Sequence, residues 1–375
     1  MYKKILVINL MHLGDLMLVT PTLRTLRTNF PDAEIYLLAD KKLADLVKLN
    51  KNLTDCIFLD KKGADNNFFN FAKFIFKLRE KNFDLVINLH RNERASALAA
   101  FSGGKKIVGY SKPLFSLMFD KVLQNLSIAQ LKPKYIPGSQ HQVKSHFDVL
   151  KSIGIEKIDD GGLEMWIDDT AKNSAEKVFA ENFPADTKVV AFNIGASWLT
   201  KRWIDSYFAE VADNLISRGF GVAFLGGNMD TEIVKNCVEK MHKKNSPLMK
   251  IFTGKFSLAE LAGFLDKCVL MLTTDSGPMH IGVARNIPIV TMFGASPVLG
   301  FYPYDAKDIL IKSPEPCHPC GQHICPRAGD ENLACMKKIP VEVVLNYVDE
   351  LLQNFGQPAE KIPRSKNYQC RVVEV

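Results

Sequence analysis

The sequence predicts an α/β protein with two domains, each built on a parallel sheet. Short apolar segments followed by a polar loop and an amphipathic helix recur through both halves of the chain, which is the pattern of parallel sheets. At 375 residues, the chain is long enough for two domains of ordinary size. Polar, glycine-containing loops directly follow several predicted strands, and ligands of such sheets bind at that carboxyl edge.

The composition is that of a soluble globular protein, with 47% hydrophobic and 24% charged residues. The net charge of +7 is too small to predict nucleic-acid binding, but it suits an anionic ligand or an anionic membrane surface. We find no secretory signal, and no apolar segment reaches the roughly 18 residues that a membrane span needs. We therefore expect a cytoplasmic protein without a nucleic-acid partner, whose membrane contact, if any, is peripheral at the cytoplasmic face of the inner membrane.

The first domain opens with a buried strand at Lys4–Asn9, a turn at Leu10–Asp15, a helix at Leu16–Phe30 and a strand at Glu34–Leu38. The turn carries a glycine and a carboxylate but lacks the GxGxxG pattern of dinucleotide-binding domains, which disfavours a nicotinamide-dependent oxidoreductase. The same alternation predicts helices at Lys41–Asn50, Asn67–Lys81, 95–101 and His141–Ile153, and strands at Cys56–Leu59, Phe83–Asn88 and Lys105–Tyr110.

Two parts of this domain are rich in basic and aromatic residues. The helix at Asn67–Lys81 carries many phenylalanines and is either a membrane-surface helix or a core helix with a basic rim. The segment 111–146 mixes basic and aromatic residues with prolines, which predicts a loop-rich, positively charged region beside the binding edge of the first domain.

The second domain repeats the parallel pattern. The predicted elements are a strand at Lys188–Asn193, a loop at Gly195–Trp203, a helix at Ile204–Ser217, a strand at Gly221–Leu225, a glycine loop at Gly226–Asn228, helices at Asp230–Lys243 and Ser257–Asp266, and strands at Val269–Thr273 and Ile289–Phe293. The loops after Asn193, Leu225 and Thr273 fall on one carboxyl edge, so we expect a ligand site there.

An anion site is predicted where the strand at Val269–Thr273 turns into a helix. Asp275 and Ser276 are helix-start residues, and the first N–H groups of a helix bind anions together with its dipole. Gly277 lets a phosphate approach the backbone, and His280 follows one turn later. The alternative is an ordinary helix cap beside a packed histidine.

These positions suit group transfer from a phosphate-containing donor, with the donor on the second domain and the acceptor on the first. Lys201, together with the helix start, would offset the charge of a departing diphosphate. An acid after the glycine loop, either Asp230 or Glu232, completes that wall of the predicted cleft. Asp15 is placed to act as a general base toward an attacking hydroxyl, although helix capping alone would also explain it.

At this point the sequence resembles a known family, the ADP-heptose:lipopolysaccharide heptosyltransferases of glycosyltransferase family nine. The segment TTDSGPMHIGVARNIPIVTMFG is similar to the family signature. The opening KKILVINLMHLGDLMLVTPTLRTLRTNFPDAEIYLL, the segments HQVKSHFDVLKSIGI and NIGASWLTKRW, and the cysteine-containing tail CHPCGQHICP…ACMKKIP resemble it in the same order. The opening is most similar to the branch that adds the third, side-branch heptose.

The resemblance implies a GT-B fold, in which two Rossmann-like domains face each other across a cleft, and an inverting reaction without a required metal. It makes Asp15 the catalytic base, Lys201 the lysine that contacts the donor phosphates, and Asp275 a contact of the donor heptose. Ser197 supplies the hydroxyl near the diphosphate, because Ala196 has none. The remaining donor contacts that it implies are Ser276, Gly277 and His280. The family's ribose-contacting acid has no clean match, so Asp230 and Glu232 both stay candidates.

The donor implied is ADP-heptose, and the acceptor is an anionic lipid A–core saccharide. Four basic residues of the first domain have the right sign to bind its carboxylates and phosphates, although a solvated basic face explains each equally well: Arg91, Arg94, Lys105 and Lys112. Four clustered cysteines leave three uses open, namely a structural zinc ion, free thiols or disulfides: Cys317, Cys320, Cys325 and Cys335.

Two other functions remain open. The same fold with a different nucleotide sugar is one, and a non-catalytic sugar-nucleotide-binding protein is the other. For the domain division, we predict an acceptor domain at 1–165 and a donor domain at 166–340. A helix at 341–355 is expected to pack back toward the N-terminal domain, and a loose polar tail is expected at 356–375.

Overall fold

The computed structural model describes residues 2–127 and 139–375, which form two compact units. The first unit comprises the described residues up to Trp166, and the second runs from Ile167 to Val375. Part of the predicted basic loop region, residues 128–138, lies outside the described residues.

The first unit is built on a six-stranded parallel sheet with the order β3-β2-β1-β4-β5-β6. Its strands are β1 (Lys4–Ile8), β2 (Glu34–Asp40), β3 (Asp55–Leu59), β4 (Leu85–Asn88), β5 (Lys106–Gly109) and β6 (Lys121–Val122). Its helices are α1 (Leu13–Met17), α2 (Thr20–Asn29), α3 (Ala44–Val47), α4 (Phe68–Arg79), α5 (Glu93–Phe101), α6 (Pro113–Ser116) and α7 (Gln142–Lys151). Because β1 pairs in parallel with both β2 and β4, the loops that follow these three strands share one edge of the sheet.

The second unit is built on a seven-stranded parallel sheet with the order β13-β12-β11-β10-β7-β8-β9. Its strands are β7 (Val189–Asn193), β8 (Gly221–Phe224), β9 (Met249–Ile251), β10 (Leu270–Thr274), β11 (Ile289–Phe293), β12 (Ile309–Lys312) and β13 (Arg371–Glu374). Its helices are α8 (Asp169–Asn182), α9 (Asp205–Ser217), α10 (Thr231–Glu239), α11 (Leu258–Lys267), α12 (Gly277–Ala284), α13 (Val298–Phe301), α14 (Ala334–Lys337) and α15 (Val341–Phe355).

The central strands of both sheets are buried along almost their whole length. Four of the five residues of β1 and all five residues of β7, β10 and β11 are buried. Strands covered on both faces are apolar without alternation, which is why short apolar runs predicted them. The N-terminal helix differs from expectation, because Pro21 stands in the first turn of a separate helix, α2, after α1 has ended at Met17. Among the described residues, no helix combines the length and the apolar composition needed to cross a membrane.

The C-terminal elements are part of the second unit. The apolar face of α15, with Val344, Val348 and Leu351, belongs to the core of that unit. An amphipathic stripe shows that a helix is covered, but it does not show by which sheet. The expectation of a loose tail is wrong, because β13 adds to β12 in parallel register, with Ile309 opposite Arg371.

Candidate active site

The carboxyl ends of β7 and β10 are joined by side-chain hydrogen bonds in the second unit. Asn193, the last residue of β7, donates its amide to the Ser276 hydroxyl (2.8 Å) and to the Thr273 hydroxyl (3.1 Å). Thr274 donates its hydroxyl to the Gly195 carbonyl at 3.2 Å. The loop after β7 and the start of α12 therefore form one continuous polar edge.

The helix start at this edge is open to an anion. Ser276 is the N-cap residue of α12, but within the described residues its hydroxyl makes no cap hydrogen bond to the helix. The first N–H groups of a helix have no partner inside the helix, and they point at whatever lies before it. Pro278 has no N–H, and the Met279 N–H donates to the Ser276 carbonyl at 3.2 Å, so the Gly277 N–H is the donor left for an anion in this first turn.

Asp275 and Lys201 form an ion pair directly beside this helix start. The Lys201 Nζ lies 2.8 Å from the Asp275 Oδ2, and Asp275 is only 5% exposed. The Ser296 hydroxyl, from the loop after β11, donates to the same oxygen. A buried carboxylate needs such partners, since an uncompensated charge is costly. The pair keeps an ammonium group next to the open N–H groups.

His280 is buried one turn into α12. Burial lowers its pKa to about 4, while Asp275 raises the pKa and Lys201 lowers it by smaller amounts, so the ring is neutral near pH 7. Within the described residues, its Nδ1 is buried without a hydrogen-bond partner. Because orphaned buried polar atoms are rare, this nitrogen is a candidate contact for a bound ligand.

The loop after β7 contains Ser197, which is exposed, and Arg202, which holds the loop in shape. Arg202 donates from Nε and from a terminal nitrogen to the Ala196 carbonyl at 2.9 and 2.7 Å. Sequence reasoning missed Asn193, Ser296 and Arg202. The sequence did contain a signal for Asn193 and Ser296, since both are polar residues at or just after the end of a buried strand.

The structure distinguishes between the two candidate acids, Asp230 and Glu232, by their surroundings. The Asp230 Oδ2 accepts from the Gly227 N–H at 2.8 Å, and a Cβ on Gly195 would meet its carboxylate at 2.0 Å. Asp230 therefore packs against the loop after β7, which explains the glycine at 195. Glu232 is exposed on α10.

We expect Asp230→Ala to weaken ADP binding about tenfold, since the charged hydrogen bond that shapes the glycine loop is lost. Glu232→Ala, the matched control on the same loop and helix, should change the ADP dissociation constant less than about twofold. Isothermal titration with ADP measures both. A larger loss in the Glu232 variant would reverse the assignment.

Asp15 lies at the carboxyl edge of the first sheet. It is half-buried and occupies the third position of α1, whose N-cap is His12. A carboxylate in the first turn is favoured by the helix dipole, so the capping explanation keeps its weight. Asp15 belongs to the first unit, whereas Lys201, Asp275 and Ser276 belong to the second.

Two further side chains at this edge escaped the sequence reasoning. Lys61, after β3, donates to the Leu10 carbonyl at 2.6 Å and pairs with Asp40 at 2.9 Å, which fixes the loop after β1. His90 follows β4, and burial, then the positive charge of Lys61, lowers its pKa to about 4. Within the described chain, the His90 Nδ1 is buried without a partner.

The four predicted acceptor residues are not brought together. Arg91, Arg94 and Lys112 follow β4 and β5 at the carboxyl edge. Arg94 donates to the Lys61 carbonyl (3.0 Å) and the Asn66 side chain (2.9 Å), and Lys112 pairs with Glu93 at 3.1 Å.

Lys105 is the exception among these four residues. It precedes β5 and pairs with Asp84, which precedes β4, at 2.8 Å. Residues before parallel strands lie at the amino edge, so Lys105 stands at the opposite edge from Asp15. Its place at the amino edge does not agree with the predicted acceptor contact, so Lys105 is no longer a candidate for acceptor binding.

The four clustered cysteines lie near one another. Cys335 is buried, and its burial, followed by the electrostatic influence of the nearby Cys317, Cys320 and Cys325, raises its pKa to about 11. All eight cysteines are free thiols, so the structure contains no disulfide among the four clustered cysteines. Within residues 2–127 and 139–375, no group of three or more His, Cys, Asp or Glu side chains is arranged to hold a metal ion.

Two parallel-sheet units with a lysine–aspartate pair at one helix start have the build of a GT-B glycosyltransferase. The sequence profile of glycosyltransferase family 9 (heptosyltransferase) matches residues 71–329. The chain belongs to this family, and the predicted membership and α/β GT-B fold class are confirmed.

Named relatives agree with this membership. The chain is 25% identical to lipopolysaccharide heptosyltransferase 3 of Escherichia coli K12 over 93% of this chain and 98% of the relative. A crystal structure of a family 9 glycosyltransferase from Veillonella parvula is 31% identical, with a TM-score of 0.80 over 94% of this chain and 98% of that one. An E. coli heptosyltransferase solved with ADP-2-deoxy-2-fluoro heptose shares the fold at 18% identity, with a TM-score of 0.62 over 92% of this chain and 99% of that one.

Proposed function

We propose that the protein transfers heptose with inversion from ADP-heptose to the inner core of lipopolysaccharide. The observation that carries the proposal is the Lys201–Asp275 pair beside the open start of α12. A relative of the same fold was solved with an analogue of this donor, and a relative over nearly the whole chain is named a lipopolysaccharide heptosyltransferase 3. The similarity to this relative favours the third heptose of the core, on its side branch, as the residue that is added.

The second unit would hold the donor. The diphosphate would lie at the Gly277 N–H and the positive end of the α12 dipole, with Lys201 offsetting the charge that develops on the leaving ADP. His280, neutral near pH 7, would contact a phosphate oxygen or donor hydroxyl through a hydrogen bond rather than through charge. Ser197 and Asp230 would complete the site from the loops after β7 and β8.

The first unit would supply the base and the acceptor contacts. In an inverting transfer, an acceptor hydroxyl attacks the anomeric carbon from the face opposite the departing ADP. Asp15 would take the proton of that hydroxyl, so that the new glycosidic bond forms as the bond to the diphosphate breaks. Arg91, Arg94 and Lys112 have the sign that carboxylates and phosphates of the inner core require.

The test is ADP release from ADP-heptose in the presence of a heptose-deficient core–lipid A acceptor. We expect release that depends on the acceptor, and a product with one added heptose by mass spectrometry. Release with another nucleotide sugar instead would favour the same fold with a different donor. Tight ADP binding with no turnover on any acceptor of a core series would favour a non-catalytic binding protein.

We also propose that the first unit contacts the cytoplasmic face of the inner membrane through an exposed apolar patch. We define this patch as Phe68, Phe69, Leu114 and Leu117, which are 78%, 83%, 81% and 97% exposed. Helices α4 and α6 both pack on α5. Four cations follow on or just after α4, namely Lys73, Lys77, Arg79 and Lys81. Exposed apolar side chains together with cations on the same unit match an anionic bilayer.

The membrane proposal predicts co-sedimentation with vesicles that contain phosphatidylglycerol. The double variant Phe69→Ser/Leu117→Ser should lower the bound fraction severalfold, because two exposed apolar side chains no longer insert. Met229→Ser, at a residue 79% exposed on the second unit, is the matched control and should bind like the wild type. Equal binding of all three proteins would contradict the assignment.

The structural zinc ion predicted for Cys317, Cys320, Cys325 and Cys335 stays a hypothesis. Within the described residues, these side chains are not arranged to hold a metal ion. Elemental analysis of the purified protein tests the hypothesis. About one zinc ion per chain would support it, and a metal-free protein that remains folded and active would refute it.

A further inference from the structure

Lys201 is held by an aromatic pair as well as by its carboxylate partner. Its Nζ lies 4.4 Å from the centroid of the Trp198 ring and over its face. The His323 ring stacks on Trp198, with centroids 4.0 Å apart and planes inclined by 22°. Successive contacts therefore connect His323, Trp198, Lys201 and Asp275, from a loop that is distant in sequence to the start of α12.

The segment that contributes His323, residues 317–325, is anchored to the donor edge by its backbone. We call this segment the cysteine loop. The Thr200 hydroxyl donates to the Gln322 carbonyl, and the Gly321 N–H donates to the Ala295 carbonyl at 2.9 Å. Ala295 in turn donates to the Thr200 carbonyl at 3.3 Å. The backbone directly before His323 is thus held at two positions, Gly321 and Gln322.

The chemistry of this arrangement favours one placement of the ammonium group. Indole is the aromatic ring that attracts cations most strongly, and a stacked partner fixes the orientation of its plane. The lysine side chain has several rotatable bonds and would otherwise sample many positions, at an entropic cost whenever a ligand orders it. Trp198 and Asp275 together restrict Lys201 before any donor arrives.

We propose that Trp198 and His323 are positioning residues of the donor site. They hold the Lys201 ammonium beside the first N–H groups of α12, so that a nucleoside diphosphate meets a preorganised cation. The inference rests on the proposed function and extends it, since it gives the cysteine loop a role in donor affinity. Neither residue contacts the reacting atoms in this account, because both act through Lys201.

Titration with ADP alone tests the proposal without requiring turnover. We expect Trp198→Ala to weaken ADP binding about 3- to 30-fold, and His323→Ala about 2- to 5-fold, since the two contacts are worth those ranges. Trp198→Phe and His323→Phe keep an aromatic face and should stay within about twofold of the wild type. His242→Ala, at an exposed histidine elsewhere in the second unit, is the matched control and should bind ADP normally.

A double-variant cycle separates positioning from a general structural role. In the Lys201→Met background, Trp198→Ala should cost no further ADP affinity, because the indole acts through the ammonium group. The same loss in both backgrounds would overturn the proposal, as would aromatic variants that fail to rescue binding. In steady-state assays, the Trp198 and His323 variants should raise the donor KM more than they lower kcat.

The two proposals fail in different ways. A wild-type protein that does not bind ADP would sink the proposed donor and with it the function. A wild-type protein that binds ADP, together with alanine variants that bind it equally well, would sink only the positioning role of Trp198 and His323.

Discussion

Asp15→Asn is expected to lower kcat by about 100- to 10,000-fold, the range that general-base catalysis contributes. Asparagine keeps the size and polarity of the side chain in the first turn of α1, but it cannot accept the proton of an acceptor hydroxyl. The dissociation constant for ADP should not change, because the proposed donor site belongs to the other unit. Acceptor-dependent ADP release and ADP titration measure the two quantities separately.

The control for Asp15 is Asp84→Asn, which removes a carboxylate from the amino edge of the same sheet. Asp84 pairs with Lys105 and accepts from the Lys3 and Lys4 N–H groups at 2.9 and 3.0 Å. We expect that variant to retain kcat even if its melting temperature falls. An Asp15→Asn protein that keeps more than about a tenth of wild-type kcat would be inconsistent with a base and would leave helix stabilisation as the role of Asp15.

Lys201→Met is expected to lower kcat/KM for the donor by about 100-fold or more, because the leaving diphosphate loses the cation that offsets its charge. A second effect arises in the free protein. Asp275 keeps a buried carboxylate whose ion-pair partner, at 2.8 Å, is gone. Since the lysine is about one-fifth exposed, we expect a loss of about 1–3 kcal/mol in the free energy of unfolding, between the values for exposed and buried pairs.

The double variant Lys201→Met/Asp275→Asn distinguishes these two effects. It removes the uncompensated charge, so thermal stability should return toward the wild type while donor turnover stays low. If activity returned together with stability, Lys201 would be a structural partner of Asp275 rather than a contact of the diphosphate. Thermal denaturation and initial rates of ADP release on the same preparations provide both readouts.

The sequence was sufficient where local chemistry and pattern decide the outcome. Apolar runs predicted the central strands, because strands buried on both faces are apolar throughout. The helix start at Ser276–Gly277 and the loops after β7, β8 and β10 followed from residue types and from the rule that parallel strands share a carboxyl edge. The family profile matching residues 71–329 bears out the membership that these motifs suggested. The roles of Asp15, Lys201 and the donor-edge residues remain predictions.

Only the tertiary structure decided which surfaces meet. The pattern of α15 showed an apolar face, but the core of the second unit is what covers it. Lys105 had the right charge for an acceptor contact, yet its place before β5 puts it at the amino edge. His323 and Trp198 are 125 positions apart in the sequence, and no local pattern pairs them. Residue type and spacing determine what a side chain can do and whether it is buried, whereas its neighbours depend on contacts between segments that are distant along the chain.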